Sequence, residues 1–585
     1  MNSWPKVILL ISLVASACPH DAQARPPSEP GAERVVSLAP NITEIVCAIG
    51  GAHHLVGRTS ACNFPPEALK DVPIVGGFGD PSLDRLLSVK PTLVLDVALA
   101  DEALAQKIAE IGLRRERITC SSLADIPDAI TAVGKLIGHD SEAQSLASDL
   151  RSMIEAFRSR SLTVKNRPRV YAEIWCDPIT TAGKASFISE LIALAGGDNV
   201  GDIVNKDYFQ VGPEWVLDQN PDVILCFYMT GAGDVRNTIL QRSEWRNINA
   251  VKTGRVYTDL DSDLILRPGP RVLQGITMLH SSMFRSGAAS SSVPGGEDSG
   301  DARLRLRIFR IVAALVVGAA LSSAGIVLQA LLKNPLAEPY VLGVSSGSAL
   351  GAALAIVAGL AAAGAFVLPA IAFVSGAITL ALVYMLSRSG GTPSIYGLII
   401  SGVIVSSVCS SILMFIIAVT PIEGIHNILW WMLGNLQVTS YPLLRSVVVI
   451  IVIGIAVIWL MSPELNALTL GQEMAHYVGI RTSIAIAIGL AFATLITAAA
   501  VAMAGLIGFI GLIVPHVVRS LVGPDHRRLI PAAALAGGIF LALCDVLART
   551  IMAPMEIPVG IVTALLGGPF FLIILRSRRK RGWIG

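Results

Sequence analysis

The sequence predicts a two-lobed α/β domain with a single bridging helix, followed by an all-α polytopic membrane domain of about nine transmembrane helices. Short β-rich runs alternate with helical stretches as far as about Arg285, and apolar runs follow one another from about Ile308 onward. Between them, residues 286–302 are rich in Gly, Ser and Asp and lack an apolar period, which is typical of a flexible linker. A composition of 53% hydrophobic and 15% charged residues argues against a purely soluble protein.

The N-terminus predicts export of the first domain. Residues 1–24 contain one lysine, an apolar run over residues 7–15 and Ala-Gln-Ala at residues 22–24, which is the layout of a secretory signal peptide. A lipidated Cys18 and an uncleaved anchor are the alternatives, although the residue three before Cys18 is Ala rather than the usual Leu. Residues 25–285 then form the exported domain.

The exported domain has the pattern of two α/β lobes. Strands are predicted for RVVSLAP, TLVLDVA, RVYAEIW, DVILCFY and GRVYTDL, and helical stretches such as SFISELIALAG separate them. A long, polar, Ala-rich run, residues 126–161, predicts one helix that bridges the lobes, with a ligand cleft between them. Because no catalytic triad, HExxH motif or carboxylate pair stands out, we expect ligand binding, with no catalytic residue, bound metal or cofactor.

The cysteines of the exported domain predict no network of cross-links. Its five cysteines are an odd number and include no CxxC pair, so neither a disulfide network nor a zinc site is predicted. We expect small buried hydrophobic side chains, with one disulfide as the alternative, at Cys47, Cys62, Cys120, Cys176 and Cys226.

Nine apolar runs in the second domain, residues 303–585, are candidates for membrane spans, and most approach the roughly 20 residues needed to cross a bilayer. The run 507–520 is short, and Pro515 and His516 would be costly against lipid, so we expect it inside the bundle or as a re-entrant segment. The candidates are residues 308–332, 341–359, 364–388, 395–420, 443–461, 482–503, 507–520, 529–552 and 557–576.

The distribution of positive charge agrees with nine crossings. If the first domain is exported, nine spans leave the basic C-terminus RSRRKR in the cytoplasm, as the positive-inside rule requires. The loops that fall outside by the same count, residues 421–442 and 553–556, contain no Lys or Arg. The loops that fall inside contain Lys333, Arg388, Arg481, Arg519, Arg527 and Arg528.

The exported domain contains, in order, RVVSLAPNITEIVCAIG, CNFPPEALKDVPIVGGFGDPSLDRLLSVKPTLVL, TTAGKASFISELIALAGGDNV and RPGPR. Over residues 34–283 these stretches resemble the periplasmic binding proteins for cobalamin, haem and ferric siderophores. The resemblance implies that an acidic residue on the rim of each lobe docks onto arginines of a permease, and the matching positions are Asp84 and Glu214. Asp84 departs from the usual Glu. Without the resemblance, both are solvated carboxylates at helix starts, where the helix dipole favours them.

The resemblance also places five aromatic residues beside the cleft, and this flat apolar lining suits a large ring system such as a corrin or porphyrin. His53 and His54 lie in a surface turn, GGAHHLVG, which argues against axial haem ligation. No cluster of Arg and Lys stands at the expected cleft positions to favour an anionic ferric siderophore, so cobalamin is expected ahead of a ferric siderophore or haem. The aromatics, for each of which core packing is the alternative, are Phe64, Phe78, Trp175, Tyr208 and Phe209.

The membrane domain contains RIFRIVAALVVGAALSSAGIVLQALLKNPLAEPYVLGVSSGSALGA, LWWMLGNL, LNALTLGQEMAHYVGI, GFIGLIVPHVVRSLVGPDHRRLIPAAAL and EIPVGIVTALLGGPFF. Over residues 303–581 these stretches resemble the permease subunits of the cobalamin and iron-siderophore ABC importers. Members of that family usually have one additional span at the start and a cytoplasmic N-terminus. Removing one crossing while moving the N-terminus outside preserves every later orientation, but the absent helix must leave a groove or be replaced.

The permease resemblance implies roles for three arginines. Arg307, Arg310 and Arg549 match positions on the outer side of the membrane, where they would receive Asp84 and Glu214. Anchoring of the span at the interface is the alternative for the first two.

The segment 465–481 resembles the short coupling helices that rest in a groove of the ATPase of such importers. A plain amphipathic surface helix is the alternative. The residues expected to contact the ATPase are Leu470, Gly471, Gln472, Ala475 and Gly479.

No GxxxxGK[ST] motif occurs in the sequence, because TAGKAS and AVGKLI lack both the hydroxyl residue after Lys and the earlier Gly, so ATP must bind to a separate subunit. The two resemblances imply a fused binding protein and permease of an ABC importer. We expect it in a bacterial inner membrane among membrane lipids, as a homodimer with a cytoplasmic ATPase and without a nucleic-acid partner. A membrane-anchored sensor that binds the ligand without transport is the alternative, and a complete permease is the alternative partner.

Overall fold

The structure is a computed structural model, which describes residues 33–97, 102–176, 178–227, 239–240, 242–284, 299–360, 364–389, 392–420, 422–437 and 441–579. The predicted signal peptide, with the Cys18 alternative, lies outside the described residues, as does the linker up to residue 298. The last residues of the predicted linker, 299–302, belong to a helix.

The first lobe contains a six-stranded sheet. Its strands are Val35–Ser37 (β1), Leu55–Thr59 (β2), Ile74–Gly77 (β3), Asp80–Pro81 (β4), Leu93–Asp96 (β5) and Arg114–Arg117 (β6). They follow the order β4-β3-β2-β1-β5-β6, and only β3 and β4 are antiparallel neighbours. Its helices are Pro40–Ala48 (α1), Pro66–Leu69 (α2), Leu83–Ser88 (α3), Glu102–Glu110 (α4) and Asp125–Ile137 (α5).

Both faces of this sheet are covered. Val35 on β1 packs in the core cluster that includes α1 and α5, whereas its neighbour Val36 packs with Leu86 and Ile108 of α3 and α4. A parallel strand with helices on both faces is buried along its whole length, which explains why all three residues of β1 are buried.

The second lobe contains another six-stranded sheet. Its strands are Arg169–Cys176 (β7), Ile179–Ala182 (β8), Asp198–Asn199 (β9), Tyr208–Gln210 (β10), Val223–Cys226 (β11) and Val256–Tyr257 (β12). The order is β10-β8-β7-β11-β12, with β9 paired to β7, and β8 is antiparallel to both of its neighbours. Its helices are Phe187–Leu194 (α7), Pro213–Gln219 (α8), Asn249–Lys252 (α9), Ser262–Leu266 (α10) and Val272–Phe284 (α11).

The predicted single bridging helix over residues 126–161 is wrong in its continuity. The chain forms two helices there, α5 and Asp140–Ser161 (α6), because Gly138 adopts a left-handed conformation with φ +78° and ends α5. Helix α6 packs along α5 of the first lobe and also contacts α7 of the second lobe, so the connection between the lobes is the 22-residue α6.

Each of the nine predicted apolar runs contains a helix, and six of the described helices are long and apolar enough to cross a membrane. The nine are Ser299–Leu331 (α12), Val344–Val357 (α13), Val367–Leu386 (α14), Ile395–Val419 (α15), Tyr441–Leu460 (α17), Thr482–Ala504 (α20), Ile510–Val522 (α21), His526–Thr550 (α22) and Val559–Arg579 (α23). Shorter elements lie between them, namely the hairpin Arg388–Ser389 (β13) and Thr392–Pro393 (β14) and the helices Ile422–Met432 (α16), Ser462–Leu470 (α18) and Gln472–Tyr477 (α19).

Helix α12 forms the centre of this bundle, where it packs against α20, α21 and α22. The backbones of α12 and α22 approach closely at Gly318, since a Cβ atom there would lie 2.2 Å from the carbonyl oxygen of Gly537. Small residues permit such close packing between membrane helices. The short helix α21, with Pro515 inside it, packs against α12 and α22 within the bundle.

None of the seven described cysteines forms a disulfide. In the first domain Cys62, Cys120 and Cys226 are buried, as expected, while Cys47 and Cys176 are half-buried. The alternative of one disulfide is therefore wrong for this domain.

Candidate functional site

The second lobe contacts the membrane domain through Glu214, which lies in the first turn of α8. Its Oε2 atom is 3.6 Å from Nε of Arg307 and 3.6 Å from a terminal nitrogen of Arg549. Both distances fit ion pairs but exceed the usual 2.7–3.2 Å of an N–H···O hydrogen bond. The contact between the two domains at this point is therefore electrostatic and loose. Burial raises the pKa of Glu214, against the opposing effect of Arg549 and the other nearby arginines.

Arg310 forms its ion pairs with Asp545 and Glu556, and its charge also lowers the pKa of Glu214 from nearby. The side chain of Arg310 is 7% exposed, and its guanidinium donates a hydrogen bond of 2.9 Å to Asp545 and two of 3.0 and 3.1 Å to Glu556. A buried cation requires such partners, because desolvation without them is costly. Asp545 and Glu556 lie far along the chain from Arg310, and the sequence analysis missed both.

Charge in this cluster is balanced only when the binding domain is included. The membrane domain contributes three cations, Arg307, Arg310 and Arg549, and two carboxylates, Asp545 and Glu556. Without Glu214 the cluster therefore has one excess positive charge. A surface with one such charge attracts a carboxylate and disfavours a cation at the same place.

Glu556 also contacts the second lobe directly. Its backbone N–H donates to the carbonyl of Gln210 at 3.4 Å, and a Cβ atom on Gly212 would lie only 2.2 Å from its carboxylate. The side chain of Gln437 donates a 2.9 Å hydrogen bond to the same carboxylate. Gly212 is therefore the residue that allows the lobe to approach the membrane domain this closely.

A second contact joins the lobe to α16. Nε1 of Trp175 donates a 2.9 Å hydrogen bond to Asn427, and the indole meets His426 edge-on at 6.2 Å between ring centroids. Trp175 was predicted as a cleft residue, and its indole N–H is used in this contact with the membrane domain.

Asp84 lies on the exposed face of α3 in the first lobe, and among the described residues it has no ion-pair partner. The expectation that arginines of the permease receive Asp84 therefore stays a prediction. Within one chain, the carboxylate of the binding domain that contacts the arginine cluster is Glu214 of the second lobe.

Three of the five predicted cleft aromatics lie at the carboxyl ends of parallel strands, where ligands of open α/β sheets bind. Phe64 and Phe78 follow β2 and β3, and Trp175 is near the end of β7. Phe78 is 51% exposed, and the guanidinium of Arg271 lies 3.8 Å from the ring centroid of Phe64.

The other two predicted aromatics do not lie at this edge. Phe209 is 4% exposed and packs edge-on against Trp215 in the core of the second lobe. Tyr208 pairs with Ala182, farther from the carboxyl end of β7 than the pair formed by Trp175 and Thr180.

Two arginines of the RPGPR motif lie beside Phe64, which the sequence analysis did not anticipate. Glu44 accepts two hydrogen bonds from Arg271, at 2.6 and 2.8 Å, and lies 3.5 Å from Arg267. Asp263 is 2.7 Å from Arg267. The two carboxylates therefore compensate the positive charges of these two arginines.

The predicted ATPase-coupling segment consists of α18 and α19, separated by Gly471 with φ +130°. Leu470 is 72% exposed and Gly479 is exposed, and Gln472 is half-buried. Ala475 is fully buried, so its predicted contact with a partner is wrong, and it instead anchors α19 to the bundle.

Three exposed apolar side chains of this segment were missed by the sequence analysis, although the amphipathic pattern contains them: Met474, Tyr477 and Val478, with exposed fractions of 54%, 84% and 72%. Together with Leu470 they form a patch that we call the coupling patch. Several exposed apolar side chains on one short segment are typical of a protein interface.

The charged loop before α22 packs against the coupling segment. Asn466 of α18 donates a 2.8 Å hydrogen bond to Asp525 and accepts one of 3.0 Å from the backbone of His526. Asp525 caps α22 by accepting from the backbone N–H of Arg527. The hydrogen bond from Asn466, followed by that from Arg527, lowers the pKa of Asp525.

Comparison with known proteins accounts for both domains. Residues 276–577 match the FecCD transport family, and residues 35–263 match the periplasmic binding protein family. The chain is 40% identical over 276 residues to the cobalamin import system permease protein BtuC of Halobacterium salinarum. The aligned residues cover 47% of this chain and 73% of that protein. It is 37% identical over 288 residues to the hemin transport system permease protein HmuU of Yersinia pestis, and this alignment covers 48% of this chain and 84% of that protein.

Among solved structures, the periplasmic heme-binding protein RhuT from Roseiflexus sp. shares 28% identity and a TM-score of 0.41, over 44% of this chain and all of that chain. The match to the permease family extends over more than half of the sequence. The chain is therefore a multi-pass membrane protein that belongs to the FecCD transport family and carries a periplasmic binding protein domain ahead of its permease domain.

Proposed function

We propose that the chain is the fused binding and permease component of an ABC importer that moves cobalamin, or a related large metal chelate, across the bacterial inner membrane. A separate cytoplasmic ATPase supplies the energy. The observation that carries this proposal is the position of Glu214, from the binding domain, between Arg307 and Arg549 of the permease domain. Delivery of a ligand requires a contact that selects one surface and then releases it, and a loose ion pair does both.

The proposal includes nine crossings, a signal peptide over residues 1–24, a binding domain over 25–285 and a permease domain over 303–585. The contacts of the binding domain support this topology. They involve Asn427 and Glu556, which are in the two loops that the charge distribution assigns to the outside.

A homodimer through the permease domain accounts for Asp84. The second lobe occupies the arginine cluster of its own chain, whereas Asp84 of the first lobe is exposed. A second permease domain related by a twofold axis would offer the same arginines to Asp84. Only one of the two tethered binding domains can then dock fully at a time.

The edge that carries Phe64 and Phe78 favours cobalamin over an anionic chelate, because Glu44 and Asp263 neutralise the two arginines there. A haem or ferric-siderophore importer is the second candidate, since one relative is named for cobalamin import and another for hemin transport. A sensor without transport is the alternative from a different functional class, and the exposed coupling patch argues against it.

The test uses the full chain in lipid nanodiscs with an importer ATPase. Tryptophan fluorescence is followed during titration with cyanocobalamin, haemin and ferric siderophores, and ATP hydrolysis is measured with each ligand. We expect saturable binding of cobalamin alone and stimulation of ATP hydrolysis by it. Binding of haemin or a ferric siderophore instead would keep the importer and change its ligand. Binding without any ATPase association would favour the sensor.

A further inference from the structure

Three histidines of the first lobe converge although one of them is distant in sequence. His53 and His54 end the short 3-10 turn Ala52–His54, and His139 lies between α5 and α6. Their possible ligand nitrogens all lie within 4.8 Å of one another. The ring of His139 is 5.7 Å from that of His53 and 5.5 Å from that of His54, between centroids.

A backbone contact fixes the ring of His54 in the state that a metal requires. Its Nδ1 is 2.8 Å from the carbonyl oxygen of Glu33. A carbonyl oxygen can only accept a hydrogen bond, so the proton of the neutral ring is on Nδ1 and the lone pair is on Nε2. This arrangement, in which one ring nitrogen donates to a backbone carbonyl, is the usual second-shell support of a metal-binding histidine.

We propose that His53, His54 and His139 bind one divalent transition-metal ion, with Zn²⁺ as the best fit. Imidazole nitrogens suit Zn²⁺, Cu²⁺ and Ni²⁺, and three protein ligands leave one position for water in a tetrahedral Zn²⁺ site. Binding of a metal ion by these three histidines would not require the chelate that the importer carries.

The required movement is small. Zn–N bonds of about 2.0–2.1 Å in a tetrahedral site place neighbouring nitrogens about 3.4 Å apart, so the present spacing must contract by about 1.4 Å at most. His53 is exposed and His139 is half-buried, whereas His54 is buried and held by its contact with Glu33. The turn that carries His53 packs close to His139, because a Cβ atom on Gly50 would lie 3.8 Å from that ring.

The site lies away from the ligand cleft. His54 immediately precedes β2 at its amino end, whereas Phe64 follows the carboxyl end of the same strand. Five extended residues span about 16 Å, so the metal would not contact a ligand in the cleft. It would instead tie the turn after α1 to the junction at which α6 begins, and α6 is the helix that leads to the second lobe.

The test uses Co²⁺, whose d–d absorption reports on the coordination of Zn²⁺-type sites, with the metal-stripped full chain in nanodiscs. We expect one equivalent of Co²⁺ per chain, displaced by Zn²⁺. His53→Ala and His139→Ala should each weaken binding by about tenfold or more, since loss of a ligand costs at least as much as loss of second-shell support. His53 is exposed, so its variant tests the site without disturbing the core.

The matched control is His280→Gln in the second lobe. His280 is also partly buried, with Nδ1 2.9 Å from a backbone carbonyl, but it lies outside the cluster. This variant should bind Co²⁺ like the natural chain. Absence of a d–d spectrum in the natural chain would overturn the proposal, and so would equal binding by the natural chain and the two cluster variants.

Discussion

The carboxylate of Glu214 lies 3.6 Å from the guanidinium of Arg549, and Arg549 is also 3.1 Å from Asp545 in the same helix. Asp545 in turn accepts a hydrogen bond from Arg310 on α12. The docking contact is therefore linked to a buried ion pair between two membrane helices, Arg310 with Asp545, through the contact between Arg549 and Asp545. Docking of the binding domain can affect the packing of α12 against α22 through Arg549.

Substitution of Arg549 should weaken transport more than substitution of Arg307. Arg307 is 57% exposed, and an exposed pair contributes about 0.2–1 kcal/mol, so Arg307→Ala should lower the apparent affinity for docking less than about fivefold. Arg549 is 18% exposed and lies between two carboxylates, so Arg549→Ala should lower it by about tenfold or more. Ligand-dependent ATP hydrolysis at several salt concentrations measures the effect, and equal losses in the two variants would contradict this prediction.

Arg310 should stabilise the membrane domain rather than the docked complex. Arg310→Met leaves the carboxylates of Asp545 and Glu556 without their buried cation, which costs about 3–5 kcal/mol by analogy with other broken buried pairs. The midpoint of thermal unfolding in detergent should fall markedly. The matched control Arg307→Met, on the same helix but exposed, should unfold like the natural chain, and an unchanged midpoint in Arg310→Met would refute the assignment.

Much of the architecture could be predicted because it depends on local patterns. The length and apolar character of the runs in the second half predicted helices that the structure contains in every case. The alternation of strands and helices predicted both lobes. The break at Gly138 was missed although the sequence signals it, since glycine commonly ends a helix and Asp140 then begins the next one.

The site was predicted less completely because its partners are distant in sequence. Glu214, Arg307 and Arg549 followed from a family resemblance, whereas Asp545 and Glu556 are single carboxylates in apolar surroundings whose partner is in another helix. On β10 the alternation of sides makes Phe209 a core residue, and no local signal distinguishes it from a cleft aromatic. His139 joins His53 and His54 only in the folded lobe.

Acid should destabilise the binding domain through His280. Burial lowers the pKa of His280 below its ordinary value of 6.5, against the opposing effect of the hydrogen bond to the carbonyl of Ala195 and with a smaller contribution from Arg160 in the same direction as burial. The unfolded chain therefore binds a proton at a higher pH than the folded chain does. This contribution to stability is complete above pH 6.5 and is lost progressively as the pH falls below that value. The free energy of unfolding, measured with urea at several pH values, should fall less between pH 6.5 and lower pH in His280→Gln than in the natural chain. Identical pH profiles of the two proteins would contradict this prediction.

The coupling patch should be required for ATPase association. Leu470→Asp and Tyr477→Asp each place a charge in the exposed apolar surface of α18 and α19, and a buried unpaired charge at an interface is strongly unfavourable. Co-purification of an importer ATPase with the chain should be lost in both variants, together with ligand-dependent ATP hydrolysis, while ligand binding by the exported domain is retained. Leu162→Asp is the matched control, because Leu162 is an 80% exposed leucine of the binding domain. If the ATPase remains bound to both patch variants, the ATPase must contact another surface of the permease domain.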